Sequence, residues 1–314
     1  MSGPVPRVET TAPDLLLRIA GRRRERLAEA GPHASGPPAS ASGVLSPGDN
    51  PFLAALVKPP RPVAAPAASA MAATTATSAA PAAPAIIAEI KMGSPRLGSL
   101  QGRVDPLAQA RLYAANGAAA LSVVVEPDFF FGSYDLLAAC RAASGLPAIA
   151  KDFVVDPVQL EWARGAGADA VLLIAALYEP EELVRYARLA RALGLAPLIE
   201  THDAADLVRL TGEPWELVGV NNRDLRTFEV DLERSIALLP LLPPGALKVA
   251  ESGIRDALDV ALLADSGFDA LLIGESLLLA ADPAAQLRAL VGCRGQADRS
   301  CRSGEAPTGS RGST

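Results

Sequence analysis

The sequence predicts an α/β chain folded as one (β/α)8, or TIM, barrel, with an extra N-terminal helix and an Ala/Pro-rich insert expected to be disordered. Three observations carry this prediction. Eight short runs rich in Val, Ile, Leu and Ala recur between residues 86 and 291, and each leads into a stretch of helical periodicity. Strands alternating with helices imply a parallel sheet, and eight such units in about 200 residues is the repeat of this barrel. No Gly-rich dinucleotide fingerprint follows any run, which counts against an open doubly wound sheet.

In chain order, residues 1–58 form an N-terminal segment. Within it, DLLLRIAGRRRERLAEA (14–30) sets apolar residues at 15, 16, 19 and 27 among arginines. That spacing predicts one amphipathic helix. Residues 59–85 are almost only Ala, Pro, Ser and Thr. Such a segment buries too little surface to offset its ordering entropy, so it is expected to be disordered. The barrel domain spans 86–292. Its strands are IIAEI (86–90), ALSVVV (120–125), PAIAK (147–151), AVLLIA (170–175), APLIE (196–200), ELVGVN (216–221), LKVAE (247–251) and ALLIG (270–274). Helical patterns between them include Pro180–Leu193 and Ile254–Asp265. Residues 293–314 are polar and Gly-rich and read as a disordered tail.

Composition narrows the function. Half of the 314 residues are hydrophobic, so a large core is available, and the net charge is −6. That balance argues against a nucleic-acid surface, which needs a basic face. Cys140, Cys293 and Cys301 match no metal or redox spacing and are expected to be free thiols in a reducing cytosol. Two histidines, His33 and His202, leave little for a zinc site or a Ser-His-Asp triad. Met1–Thr11 lacks the apolar core of a secretion signal, and no apolar run is long enough to span a bilayer. A cytoplasmic location is therefore expected.

Barrel enzymes of this class place their chemistry at the C-terminal ends of the strands. Here Glu89 and Lys91 close the first run, Lys151 the third, Glu200 the fifth, Asn221 the sixth, Glu251 the seventh and Gly274 the eighth. Strand residues two apart share a face, so Glu89 and Lys91 point the same way, expected inward. Lys248 has the opposite parity to Glu251 and reads as a structural lysine facing the helices. Only four of the 29 basic residues are lysines (Lys58, Lys91, Lys151 and Lys248), and two of the four end barrel strands. Lysine, unlike arginine, can give up a proton. The bland alternative is that both are buried ion-pair partners of Glu89 and Glu200. ESGI (251–254) and IGES (273–276) follow the last two strands. Loops there commonly cradle phosphate with backbone N–H groups, although turn chemistry alone also asks for glycine.

Segments AEIKMGSPRLG (88–98), EPDFFFGS (126–133), KDFVVD (151–156), LIETHD (198–203), GVNNRDLRTFEVDL (219–232), VAESGI (249–254) and LLIGESL (271–277) resemble, in order and spacing, the signature segments of indole-3-glycerol-phosphate synthases. That family decarboxylates and cyclises 1-(2-carboxyphenylamino)-1-deoxyribulose 5-phosphate to indole glycerol phosphate in tryptophan biosynthesis, without a cofactor or metal. The resemblance implies that Lys151 is the general acid of ring closure and Glu200 the general base of dehydration. It implies that Lys91 binds the substrate carboxylate and assists proton transfer, while Glu89, Asn221 and Glu251 orient the lysines and the substrate hydroxyls. It also implies that the N-terminal segment with its helix packs over the barrel near the active site. Ser94, Ser252, Gly253, Gly274 and the backbone of Glu275 would hold the phosphate. Pro95, Phe130, Phe153 and Leu172 would wall the aromatic pocket. A lysine serving as acid is expected to have its pKa lowered by burial or a like charge.

The first loop departs from the family pattern at Met92, Gly93, Arg96 and Leu97, and Arg96 is the candidate replacement for a missing basic residue. The partner implied is a small phosphorylated substrate, with neither nucleic acid nor membrane. A monomer is expected, with association to other tryptophan-pathway enzymes left open. Phosphoribosylanthranilate isomerase shares the barrel and phosphate site, but its first strand ends in a catalytic cysteine where this chain has Lys91. A non-catalytic barrel kept as a binding partner is the other rival, and the full Lys/Glu set argues against it.

Overall fold

The computed structural model describes residues 12–29, 43–57, 83–224 and 229–293. The insert up to residue 82 and the tail after residue 293 lie outside these residues. The chain opens with α1 (Ala12–Glu29) and α2 (Pro51–Val57). The first barrel strand is β1 (Ala85–Ile90), so Ala85, counted with the insert from sequence, already belongs to the sheet. A two-rung antiparallel hairpin follows, β2 (Gly93–Ser94) with β3 (Gly98–Ser99). The remaining barrel strands are β4 (Ala120–Val124), β5 (Ala148–Lys151), β6 (Ala170–Ile174), β7 (Ala196–Thr201), β8 (Leu217–Asn221), β9 (Leu247–Glu251) and β10 (Ala270–Ile273). All eight barrel strands pair in parallel and in chain order, and β10 closes onto β1. The eight predicted runs and the eight strands agree to within a residue at each end.

Strand parity sorts the core into two. Ile86, Ala88 and Ile90 face outward and pack with Tyr113, Leu137 and Leu160 of the surrounding helices. Ala85 and Ile87 face inward, with Ala120, Ile149, Leu172, Leu198, Leu217, Val249 and Leu272. α2 seals the lower end of this inner core with Phe52, Leu53 and Leu56, all buried. Asn50 fixes that plug. Its Oδ1 accepts the N–H groups of Phe52 and Leu53, satisfying donors a helix start leaves open. Its Nδ2 donates to the carbonyls of Asp169 and Gly194, just ahead of β6 and β7.

α1 matches the amphipathic helix expected over 14–30 and sits at the opposite end of the barrel. Arg23 donates to both oxygens of Asp152 from Nε and Nη2, at 2.6–3.2 Å, and both side chains are buried. Among the described residues no helix is long and apolar enough to cross a membrane. The cysteines depart from expectation. Cys140 is a free buried thiol, but Cys293 is disulfide-bonded. Cys301 lies outside the described residues.

Candidate active site

The inward parity that packs Ile87, Ile149, Leu198 and Val249 carries on to the upper strand ends, where it turns polar. There Glu89, Lys151, Glu200, Asn221 and Glu251 converge on the axis. Lys151 Nζ lies 3.0 Å from Glu251 Oε2, 3.6 Å from Glu89 Oε2 and 3.8 Å from Glu200 Oε2. Lys91 Nζ lies 2.9 Å from Glu89 Oε1, as the shared face of residues two apart requires. Asn221 stands by Glu200 and favours its charged form, and its Oδ1 accepts the Arg223 N–H at 3.0 Å.

Two glycines make room for this cluster. A Cβ on Gly219 of β8 would overlap Glu251 Oε1, and one on Gly274 would overlap Glu89 Oε1. Gly274 therefore serves the carboxylate cluster as well as the loop after β10. Gly219→Ala should displace Glu251 and loosen its hold on Lys151, lowering kcat by about 10²-fold, the scale of an ångström-sized misplacement. Steady-state kinetics beside circular dichroism would check this; wild-type turnover in a folded variant would show that the cluster does not need that space.

Electrostatics pull the carboxylates apart. Burial opposes ionisation of Glu200, but His202 and Lys151 outweigh it and hold its pKa at about 2. Glu251 is fully buried; desolvation dominates and pushes its carboxyl up to about 7, with Lys151 opposing. Burial also works against charge on Glu89, yet Lys91 and Lys151 bring its pKa below the usual carboxylate value. Lys151 reverses the expectation of a lowered lysine. Burial alone would lower it, but Glu251, Glu89 and Glu200 together raise it above the ordinary lysine value.

The cluster forms the floor of a cavity of about 890 Å³. One side is apolar: Pro95, Phe130, Phe153 and Leu172 line it, with Leu15, Leu16 and Ile19 of α1 closing it from above. The Phe130 and Phe153 ring centroids are 6.0 Å apart. Glu126 shapes the Phe130 loop by accepting the N–H groups of Asp128, Phe129 and Phe130 at 2.7–3.0 Å. The other side carries Ser94, Ser252, Gly253, Gly274 and Glu275. Ser252 and Gly253 both have positive φ, 67° and 82°, and a Cβ on Gly253 would overlap Val230. Arg96, at the tip of the β2–β3 hairpin, ion-pairs with Glu275, and Arg223 Nη2 lies 3.5 Å from the same carboxylate.

Every site residue predicted from sequence thus borders this cavity, except Glu251, which sits beneath it against Lys151. Sequence reasoning missed His202, Arg23, Asp152, Glu126 and the α1 wall. His202 and Asp152 stood inside the quoted motifs, each one or two residues past an assigned residue, and Leu15, Leu16 and Ile19 lie on the helix expected to pack on the barrel, without an assigned place in the cavity wall.

Residues 62–290 match the family model described as indole-3-glycerol phosphate synthase. The curated indole-3-glycerol phosphate synthase of Rhodopirellula baltica is 46% identical over 206 residues, covering 66% of this chain and 80% of the relative. Those of Bordetella pertussis and Carboxydothermus hydrogenoformans are 45% and 42% identical, each over 66% of this chain and over 79% and 78% of the relatives. Among solved structures, the 3-hexulose-6-phosphate synthase of Salmonella typhimurium superposes with a TM-score of 0.54 at 15% identity, over 67% of this chain and 97% of that one. That likeness shows the barrel alone. With the family model matching most of the chain and a relative 46% identical over 206 residues, the chain belongs to the indole-3-glycerol phosphate synthase family.

Proposed function

We propose a division of labour among these residues for the family's reaction, the decarboxylating ring closure of 1-(2-carboxyphenylamino)-1-deoxyribulose 5-phosphate to indole glycerol phosphate. The observation that carries it is Lys151 Nζ, open to a cavity with one apolar side and one Gly/Ser loop side, and ringed by three glutamates. The aryl ring lies between Phe130, Phe153, Pro95 and Leu172. The phosphate lies against Ser94, Ser252, Gly253, Gly274 and the backbone of Glu275. Lys91 holds the substrate carboxylate.

In the first half, the ring carbon bearing the carboxylate attacks the ribulose carbonyl, whose oxygen takes the proton of Lys151. An ammonium held tightly by three carboxylates still donates here, because the oxygen gaining charge is a developing alkoxide, a stronger base than an amine. Carbon dioxide then leaves and the aromatic ring is restored. In the second half Lys151, recharged from solvent through the open cavity, gives a second proton to the same oxygen, which departs as water while ionised Glu200 takes a proton from the neighbouring carbon. Glu89, Asn221 and Glu251 orient the lysines and the hydroxyls. Arg96 supplies the positive charge that the first loop otherwise lacks. The same proposal places the enzyme in the cytoplasm, acting as a monomer on a free phosphorylated substrate.

The test is direct. Purified protein is incubated with the carboxyphenylamino substrate and followed by the fluorescence of indole glycerol phosphate. Turnover is expected, and it should persist in excess EDTA, since no metal enters the scheme. Absence of product would overturn the reading; loss of activity on chelation alone would overturn its metal-free chemistry.

A further inference from the structure

Glu200 is gripped from two sides. Lys151 approaches Oε2 from the cavity, and His202 Nε2 approaches Oε1 from behind at 3.3 Å. That nitrogen is buried and off the line of a good hydrogen bond, so the contact is carried by charge. Beyond His202 stands Asp206, from the helix Ala204–Val208. Its Oδ2 lies 3.5 Å from His202 Nδ1 and accepts the His202 backbone N–H at 2.9 Å. Asp206 is itself held, by its N–H donating to Asp203 and by Arg209 Nε at 3.9 Å from Oδ1. A line of three charged groups therefore runs from that helix, across the end of β7, into the catalytic cluster. The His202 side chain is 12% exposed and forms no part of the cavity wall.

We propose that His202 is a positioning residue for Glu200: an imidazolium bracketed by Glu200 and Asp206, it pins Oε1 and leaves Oε2 facing the substrate. This rests on Glu200 being the base of the dehydration. A buried carboxylate acting as a base has two problems. Burial favours its protonated form, and rotation about its last bond exchanges its oxygens. A fixed cation behind one oxygen answers both. Lys151 cannot do so alone, because it is shared with Glu89 and Glu251 and gives up its proton during ring closure. At that moment His202 is the cation still against Glu200. The groups facing His202 are Glu200 on β7 and Asp206 on the following helix. Arg209 lies beyond Asp206; Lys151, Glu251 and Asn221 lie beyond Glu200. Burial opposes charge on the ring, but Asp206 and Glu200 outweigh it and push the imidazole up to about 10.

The chain holds only two histidines, His33 and His202, so the imidazole signals of the full-length protein reduce to two, and His202→Gln assigns them. In an NMR titration of the unliganded protein, His202 is expected to remain imidazolium beyond pH 8. Asp206→Asn keeps an oxygen acceptor for the His202 N–H but removes the charge, and should lower the His202 midpoint by about one unit or more. The kinetic counterpart is the pH profile of kcat/KM. Its acid limb, low in the wild type, should emerge about one unit higher in His202→Gln. KM should stay within about threefold, because His202 does not touch substrate. Asp206→Asn should move the limb in the same direction, and it serves as the second readout should His202→Gln fold poorly. A His202 that titrates near 6.5, or an acid limb unmoved in both variants of an active enzyme, overturns this proposal alone. A wild type that leaves the substrate untouched overturns the functional reading and this proposal together.

Discussion

Lys151→Arg is expected to lower kcat by about 10²–10⁴, the usual contribution of a general acid, while Lys91→Arg acts mainly through KM. Both lysines supply positive charge, and arginine preserves it. What arginine cannot do is release a proton at any pH the enzyme meets. At Lys91 that loss is minor: the side chain pairs with Glu89 alone, and a guanidinium still grips a carboxylate with two hydrogen bonds. At Lys151 the proton is the point of the residue, and Nζ sits where three glutamates meet. Arginine is also bulkier, so geometry suffers at either site, but neither change opens a core cavity. Circular dichroism and melting should show both variants folded. The comparison to make is single-turnover ring closure at saturating substrate. Near wild-type closure by Lys151→Arg together with slow closure by Lys91→Arg would mean that the general acid is the other lysine.

How far the sequence discloses this site depends on which physical rule is in play. Period-2 alternation is local, so Glu89, Lys91, Lys151, Glu200, Asn221 and Glu251 could be aimed inward from the runs that contain them, and the inner core of Ile87, Ile149 and Val249 follows the same parity. Distances between strands are not local. Nothing along the chain says that one ammonium stands within 4 Å of three carboxylates. The expectation of a lowered lysine therefore weighed burial without the charges that reverse it. Gly274 was legible as a turn glycine, but its second reason, the space taken by Glu89, needs the β1–β10 register. His202 was written off with the zinc ligands; its partner Asp206 lies four residues on, and only the short helix after β7 folds the two together. The Cys293 disulfide had no signal in spacing.

Arg23 with Asp152, a contact that spans 129 positions and that no local rule foretells, carries the second large effect. Arg23→Ala is expected to release α1 from the barrel. The substitution leaves Asp152 buried without its cation, a change that costs about 3–5 kcal/mol at typical buried pairs. Asp152 keeps the Tyr134 hydroxyl, Gln159 Nε2 and the Phe153 N–H, so the low end applies. About 3 kcal/mol moves the docking equilibrium of α1 by about 10²-fold. The barrel closes on itself through β1 and β10 and is plugged below by α2, so the loss is expected to stay local rather than unfold the whole domain. Two readouts follow. Trypsin should cut α1 at its remaining arginines much faster than in the wild type. KM should rise about tenfold or more, because Leu15, Leu16 and Ile19 no longer close the apolar side of the cavity, while the residual kcat at saturation should fall less. Arg23→Lys, which keeps the charge but loses the two-pronged geometry, should fall between the two. If α1 stays protected and KM does not move in Arg23→Ala, the buried pair is not what holds the helix over the site, and its apolar face alone suffices.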